Sequence, residues 1–224
     1  TMSFAGIYTL LARCIVLVGV IPVHECAHGW MAEKLGDPTA RNSGRLTLNP
    51  LRHFDPIGSA LMLLTGFGWA KAVPVNPRYF KNPRQGMALT ALAGPAANLL
   101  FGFVLLLLYR VFGGVVVGTP LYLTSAPFQI FTYAVLEIVW SMMLINLSLA
   151  VFNLIPVPPL DGSRIVALLL PARWYFKIME YERYIFVAMA VLLFTGVFSR
   201  PLNVAVQYLL WVMVRLTDFV DLFL

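Results

Sequence analysis

Long apolar runs separated by short polar segments dominate the pattern of this chain. Residues 4–35, 86–110 and 127–152 are each long enough to cross the roughly 30 Å hydrocarbon core of a bilayer as a helix. Two further apolar runs follow at residues 184–198 and 202–216. The pattern therefore predicts an all-α polytopic membrane protein with about five to six transmembrane helices.

The region between the first two long runs has a different pattern. Residues 36–56 are rich in Gly, Pro and Asn, which break helices. Within this region, residues 45–48 alternate between polar and apolar as a strand does. They predict a short membrane-associated β-hairpin or, equally, an ordinary surface connection. An exposed strand edge there would suit pairing with an extended substrate.

Residues 57–70 are apolar but too short to cross a bilayer comfortably, and basic residues flank both ends, so they predict a re-entrant segment. Thirteen of the sixteen basic residues, including Arg215, are assigned to one side, with Arg110 and Arg200 opposite and Arg13 within a span. This excess predicts a cytoplasmic face, an external N-terminus, an internal C-terminus and five crossings.

Composition supports a multi-pass protein of the cell membrane. Hydrophobic residues make up 60% of the 224 and charged residues only 12%, and the mean hydropathy is +0.81. A soluble domain of this size would need far more charge to cover its surface. The net charge of +6 comes without a basic tail or an aromatic-basic motif, so no nucleic-acid partner is expected.

The first apolar run contains the sequence His24-Glu25-Cys26-Ala27-His28. Residues four apart share one face of a helix, so both imidazoles can meet a single zinc ion. Glu25 lies one step round, within reach of a metal-bound water as general base. Chance would produce the pattern in about one sequence in a thousand of this composition. Cys26 points away from the shared face and is not counted as a ligand.

Residues 153–164 follow a long span and contain three prolines, which membranes tolerate only where the backbone faces protein or water. Asp161 opens a short helix there, either as its cap or as a partner for a cation. Charge placement puts it at the depth of His24 and His28, near the cytoplasmic face. We therefore predict one Zn²⁺ per chain bound by His24, His28 and Asp161, with Asn153 supporting an oxyanion.

Other polar residues within apolar runs have simpler interpretations. Gly94, Asn98 and Gly102 recur at steps of four, which predicts close helix contact and an Asn98 hydrogen bond to a neighbouring helix or loop. His53 matches no metal motif and is expected to be structural. Two interpretations of Arg13 stand: it is a snorkelling or helix-paired arginine, or it lines an internal path. Glu137 is left unexplained, with Arg13 and Arg110 as its candidate partners.

Three motifs together resemble the site-2 proteases, the intramembrane zinc metalloproteases of peptidase family M50. They are His24-Glu25-x-x-His28, Gly94-Pro95-x-x-Asn98 and the run Asn153-x-x-Pro156-x-Pro158-x-Leu160-Asp161-Gly162. The resemblance implies zinc ligands at His24, His28 and Asp161, catalytic Glu25 and a supporting Asn153. It also implies cleavage of a substrate's transmembrane helix near the cytoplasmic face.

The resemblance extends from the first helix to about residue 167 and predicts a compact form without PDZ or CBS domain. We expect one transmembrane protease domain over residues 1–224, with a catalytic core at about 4–170 and accessory helices at about 175–224. The expected partners are the lipid bilayer and the transmembrane helix of a substrate. The alternative is a non-catalytic metal-binding membrane scaffold or transporter.

Overall fold

The computed structural model describes residues 4–65, 68–171, 173, 177 and 180–222. All regular secondary structure in these ranges is helical. The α-helices are α1 (Phe4–Ile15), α2 (Ile21–Lys34), α3 (Thr39–Asn42), α4 (Pro56–Thr65), α5 (Pro83–Val117), α6 (Pro120–Thr124), α7 (Ala126–Asn153), α8 (Asp161–Val166), α9 (Glu182–Phe194) and α10 (Ser199–Leu216). A π-helical segment at Val16–Val20 joins α1 to α2, and 3₁₀ turns lie at Pro50–Arg52, Pro77–Tyr79 and Asp218–Leu222.

Within the described ranges, three stretches are long and apolar enough to cross a membrane. They are Leu10–Lys34, which runs from α1 through the π-helical segment into α2, and the helices α5 and α7. The prediction of an all-helical membrane protein is thereby confirmed. The predicted count of five to six spans is not. Helix α9 has only 13 residues, about 20 Å of helix, and α10 has polar residues at 200, 203, 207 and 215.

Helices α5, α7 and α10 share one apolar core. Leu105 and Leu106 of α5 pack with Met143 and Leu147 of α7, and α10 adds Val206, Leu210 and Met213. Gly102 allows this approach because a Cβ there would lie too close to the Leu147 side chain. Since lipid is as apolar as these side chains, close packing rather than removal from water stabilises the contact. The predicted small-residue face is confirmed at this position.

The predicted β-hairpin at residues 45–48 is not confirmed, since the described ranges contain no strand. In this region, side chains rather than a neighbouring strand form hydrogen bonds with the backbone carbonyls. Arg45 donates to the Lys71 carbonyl, and the His53 Nε2 lies 2.8 Å from the Thr47 carbonyl. His53 is fully buried, and its carbonyl accepts a hydrogen bond from the Lys71 N–H at 2.9 Å. The structural interpretation of His53 is confirmed.

Residues 68–76, which we call the strap, run without regular structure between α4 and the Pro77–Tyr79 turn. Asp37 anchors the far end of the strap, because its carboxylate accepts the Asn76 N–H at 2.7 Å and also binds Thr39. Asp37 is fully buried. The strap is therefore fixed at Lys71 and at Asn76, and the chain between these points has a defined path.

Arg13 is paired with a helix, as one of its two interpretations proposed. Its Nη1 donates to the carbonyls of Leu63 and Leu64 at 2.7 and 2.9 Å, which are orphan acceptors at the end of α4. Met62 of α4 packs with Val16, Leu17, Val20 and Ile21. Helix α4 is thereby held against the first span, and its ten residues are too few to cross a bilayer.

The predicted placement of Arg110 and Arg215 on opposite sides is wrong. Arg110 Nη1 donates to the Val214 carbonyl at 3.0 Å and to Thr217 Oγ1 at 2.8 Å, and its Nη2 lies 2.5 Å from Asp221. Arg215 directly follows Val214, so both arginines lie at one end of the bundle. Because Asp218 and Asp221 neutralise Arg110, its charge does not indicate which side of the membrane this end of the bundle faces. Neither Arg110 nor Arg13 pairs with Glu137 in the described structure.

Candidate metal centre

Two imidazoles of α2 converge on one point. His24 and His28 are one helical turn apart, and their Nε2 atoms are 2.9 Å from each other. The rings meet edge to face, with centroids 4.5 Å apart and an interplanar angle of 88°. Pro22 lies in the first turn of α2, directly after the π-helical segment. The predicted shared face of the two histidines is therefore confirmed.

Asp161 reaches the same point from a distant part of the chain. Its Oδ2 lies 3.3 Å from His24 Nε2 and 3.4 Å from His28 Nε2. Asp161 does not cap α8, because Leu160 holds the cap position and no side chain bonds there. Asp161 therefore completes a cluster of two imidazoles and one carboxylate.

A tight turn brings Asp161 back to α2. Residues 154–160 loop out of α7, and Gly162 packs directly against the carbonyls of Leu154 and Ile155, where a Cβ would overlap. Arg84 of α5 then binds the carbonyls of Ala167 and Leu170 after α8. The glycine and the arginine together hold the short helix in place, which fixes the direction of the carboxylate.

The three side chains fit a divalent metal ion. Zinc bonds of about 2.0–2.1 Å in a tetrahedron place ligand atoms about 3.3 Å apart. The observed separations of 2.9, 3.3 and 3.4 Å are of this size. Asp161 Oδ2 is buried and accepts no hydrogen bond from the described residues, as expected of an atom meant for a cation. His24, His28 and Asp161 thus form a group able to hold a metal while leaving a fourth position open.

Helix α5 fixes the imidazoles from behind. His28 Nδ1 lies 2.7 Å from the Thr90 carbonyl, so it carries the proton and leaves the Nε2 lone pair for the metal. His24 Nδ1 lies 3.2 Å from Asn98 Nδ2, while Asn98 Oδ1 is buried without a partner. A half-turn of the amide lets Oδ1 accept from Nδ1–H, which satisfies both groups and frees the Nε2 of His24 as well. The expected hydrogen bond from Asn98 to another helix is confirmed.

Gly94 contacts the metal centre itself. A Cβ at this position would overlap the His28 ring at Nε2 and Cε1 and the His24 ring at Cε1. Only glycine lets α5 approach the two rings so closely. The spacing of Gly94, Asn98 and Gly102 indicated a close helix contact, but nothing in it indicated that the metal ligands lie opposite.

Glu25 is held by the strap. Its side chain is buried, and its Oε2 accepts the Val73 N–H at 2.9 Å. Glu25 lines a cavity of about 490 Å³ together with His24, His28, Asp161 and Asn153. All five predicted site residues therefore border one space. The Val73 contact was not predicted, since a backbone donor has no signature in sequence.

Asn153 stands at the end of α7 on the wall of this cavity. Its Nδ2 donates to the Leu149 carbonyl of its own helix at 3.0 Å. Leu149 also lines the cavity, so the bond lies on the cavity side of α7.

Helix α9 borders the other side of the cavity. Phe186 and Met189 of this helix line it, and Trp69 of the strap meets the Phe186 ring edge to face with centroids 6.0 Å apart. Arg164, three residues after Asp161, forms an ion pair with Glu182 at 3.5 Å. The cavity thus lies between the strap, α8 and α9, and it is lined mostly by apolar side chains around a few ionisable ones.

Comparison with known proteins identifies the family. The family model of peptidase family M50 matches residues 12–196, which include both histidines and Asp161. The chain belongs to peptidase family M50. This M50 chain is 40% identical over 204 residues to YwhC of Bacillus subtilis. The matched region covers 90% of this chain and 84% of YwhC.

Two further M50-like relatives are more distant. Rip2 of Mycolicibacterium smegmatis is 26% identical over 208 residues, covering 89% of this chain and 72% of that protein. The zinc metalloprotease MJ0392 of Methanocaldococcus jannaschii is 27% identical over 164 residues, covering 73% of this chain and 36% of that protein. No solved structure shows a significant match. The family assignment confirms the predicted resemblance.

Proposed function

We propose that this chain is an intramembrane zinc metalloendopeptidase that hydrolyses peptide bonds in transmembrane segments of membrane proteins. One observation carries the proposal. Three metal-ligating atoms converge beside a buried carboxylate, within a cavity set among apolar membrane-spanning helices. Membership of a peptidase family and the likeness to a zinc metalloprotease support the same reaction.

His24, His28 and Asp161 would hold the zinc, which when bound acidifies a water and polarises the scissile carbonyl. Glu25 takes a proton from the attacking water and delivers it to the leaving amine. The Val73 N–H fixes one oxygen of that carboxylate, so Glu25 keeps its direction through the reaction. Thr90 and Asn98 orient the imidazoles, and the apolar walls limit the entry of water.

The substrate we propose is a locally unwound transmembrane helix. A helical peptide hides its carbonyls in hydrogen bonds, so unwinding has to precede attack, and Gly or Pro in the substrate makes unwinding easier. The cavity of about 490 Å³ holds a short extended peptide rather than an entire helix. The apolar lining suits the side chains of a membrane segment.

We propose one domain with a core at about residues 4–170 and accessory helices at about 175–224. The Leu10–Lys34 stretch, α5 and α7 cross the cell membrane, and α4 is re-entrant. Arg84 and Arg164 lie at the metal end of the bundle, which supports a cytoplasmic position for the centre. The C-terminal end of α10 lies beside Arg110, sixteen residues beyond Gly94 along α5, so α10 ends about 24 Å along this helix from the metal centre.

Metal removal tests the reaction. The full chain is reconstituted in liposomes with a single-span substrate, and we expect about one zinc per chain by mass spectrometry. Chelation should abolish cleavage because the attacking water loses its activation, and added zinc should restore it. Cleavage that persists without bound metal would contradict the proposal. Zinc flux across the liposome without cleavage would favour the transporter alternative instead.

Asn153 is proposed to donate a hydrogen bond to the oxyanion that forms during hydrolysis. We expect Asn153→Ala to lower kcat by about 10²-fold or more, since one oxyanion donor typically contributes this much. Zinc content and melting temperature should stay unchanged. Ser148→Ala is the matched control, because Ser148 makes the same type of bond to a helix carbonyl, at 2.8 Å from Leu144. Equal losses in the two variants would remove Asn153 from the mechanism.

A further inference from the structure

A second cavity borders the strap. Strap residues 68–70, 72, 73 and 75 line the metal cavity, while 71, 72 and 74 line the second one, so the two spaces adjoin the same segment. The second cavity has a volume of about 450 Å³. Its walls include the side chains of Ser43, Arg45, Leu51, Arg52, Phe54 and Lys71.

Three cations face this space and no acidic residue lines it. Arg45 is only 7% exposed, whereas Arg52 and Lys71 are exposed at the rim. None of the three forms an ion pair within the described part of the chain. Arg45 donates one bond to the Lys71 carbonyl, and its Nε is buried without any partner. A buried cation without a counter-ion is costly, so this arrangement calls for an anion from outside the chain.

The chemistry of the three cations selects the anion. Two guanidinium groups offer paired N–H donors that match phosphate oxygens, and the Lys71 ammonium adds a point charge. The volume is of the size that holds a small polar ligand. A phosphate group fits this donor set.

The surroundings select a lipid as the source of the phosphate. Leu51 lines the cavity and is 74% exposed, so an apolar surface stands beside the basic one. Basic pockets next to membrane-embedded segments attract anionic headgroups. We propose that this cavity binds the phosphate of an anionic phospholipid.

Lipid binding to the full-length protein tests the proposal. Native mass spectrometry of the protein in a neutral detergent measures binding of short-chain phosphatidylglycerol, short-chain phosphatidylcholine and inorganic phosphate. We expect phosphatidylglycerol to bind at least about tenfold more tightly than the other two. The double variant Arg52→Gln/Lys71→Gln should lose at least about tenfold in that affinity, because it removes two charged hydrogen-bond donors.

The matched control is Arg78→Gln/Lys81→Gln, which removes two exposed charges just beyond the strap and outside the cavity. It should change the affinity by less than about twofold. Equal losses in the two double variants would overturn the site, as would unchanged binding in the first. Inorganic phosphate, phosphatidylcholine or a glutamate-rich peptide binding as tightly as phosphatidylglycerol would overturn the lipid assignment. Both variants alter exposed side chains, and melting temperatures verify that they fold.

Discussion

Glu25→Gln is expected to lower the rate of peptide hydrolysis by about 10²–10⁴-fold while the chain keeps its zinc. The amide has nearly the same shape and can still accept the Val73 N–H through its oxygen, so the cavity keeps its form. It cannot take a proton from the attacking water, which is the step that fails. Cleavage of a single-span substrate in liposomes and zinc content by mass spectrometry measure the two effects.

Glu33→Gln is the control for that experiment. Glu33 lies on the same helix, at its exposed end, and pairs with Arg41 outside the cavity. Its replacement removes the same charge from α2 and should leave both cleavage and zinc content unchanged. Full turnover in Glu25→Gln would refute the role of Glu25 as general base. Equal losses of cleavage in both variants would show that the loss comes from removing a negative charge from α2.

Gly94→Ala is expected to lower the affinity for zinc by about 100-fold or more, since even the residues that orient metal ligands contribute 10–100-fold. The new methyl group would occupy the space of both imidazole rings. The rings have to turn away, and the three ligand atoms then no longer meet. Zinc content after dialysis against a weak chelator provides the measurement, and cleavage should be lost in parallel.

Gly102→Ala provides a comparison on the same helix. Gly102 lies eight residues, about 12 Å, beyond Gly94 along α5. A Cβ at Gly102 would meet the flexible end of the Leu147 side chain. We expect this variant to melt at a lower temperature and to retain its zinc. If Gly102→Ala also loses the metal, the effect of Gly94→Ala reflects a general shift of α5 rather than contact with the ligands.

Sequence alone was sufficient for the features that depend on local spacing. The two histidines share a face because any α-helix places residues four apart on the same side. The long apolar runs are recognisable as membrane spans because their length matches the thickness of the bilayer core. Asp161 lies more than a hundred residues from the two histidines, so its convergence on them is non-local. It was still identified, because a carboxylate beside broken helix at membrane depth requires a cation.

The conformation of residues 45–48 and the side assigned to Arg215 were predicted wrongly for a different reason. Alternation at residues 45–48 predicted a strand, but side chains of Arg45 and His53 satisfy the local carbonyls and leave no ladder. Arg215 was assigned by counting charges, a method that cannot detect that Arg110 is neutralised by Asp218 and Asp221. In both cases contacts distant in sequence overrode a local pattern.

Glu25 owes its position to a main-chain group, and this has an evolutionary implication. Every amino acid except proline supplies the same N–H at position 73, so this hydrogen bond does not itself require valine there. The number of residues between Lys71 and Asn76 is not free, because both ends are tied down. An alignment would therefore record this contact as an absence of insertions and deletions rather than as an invariant letter.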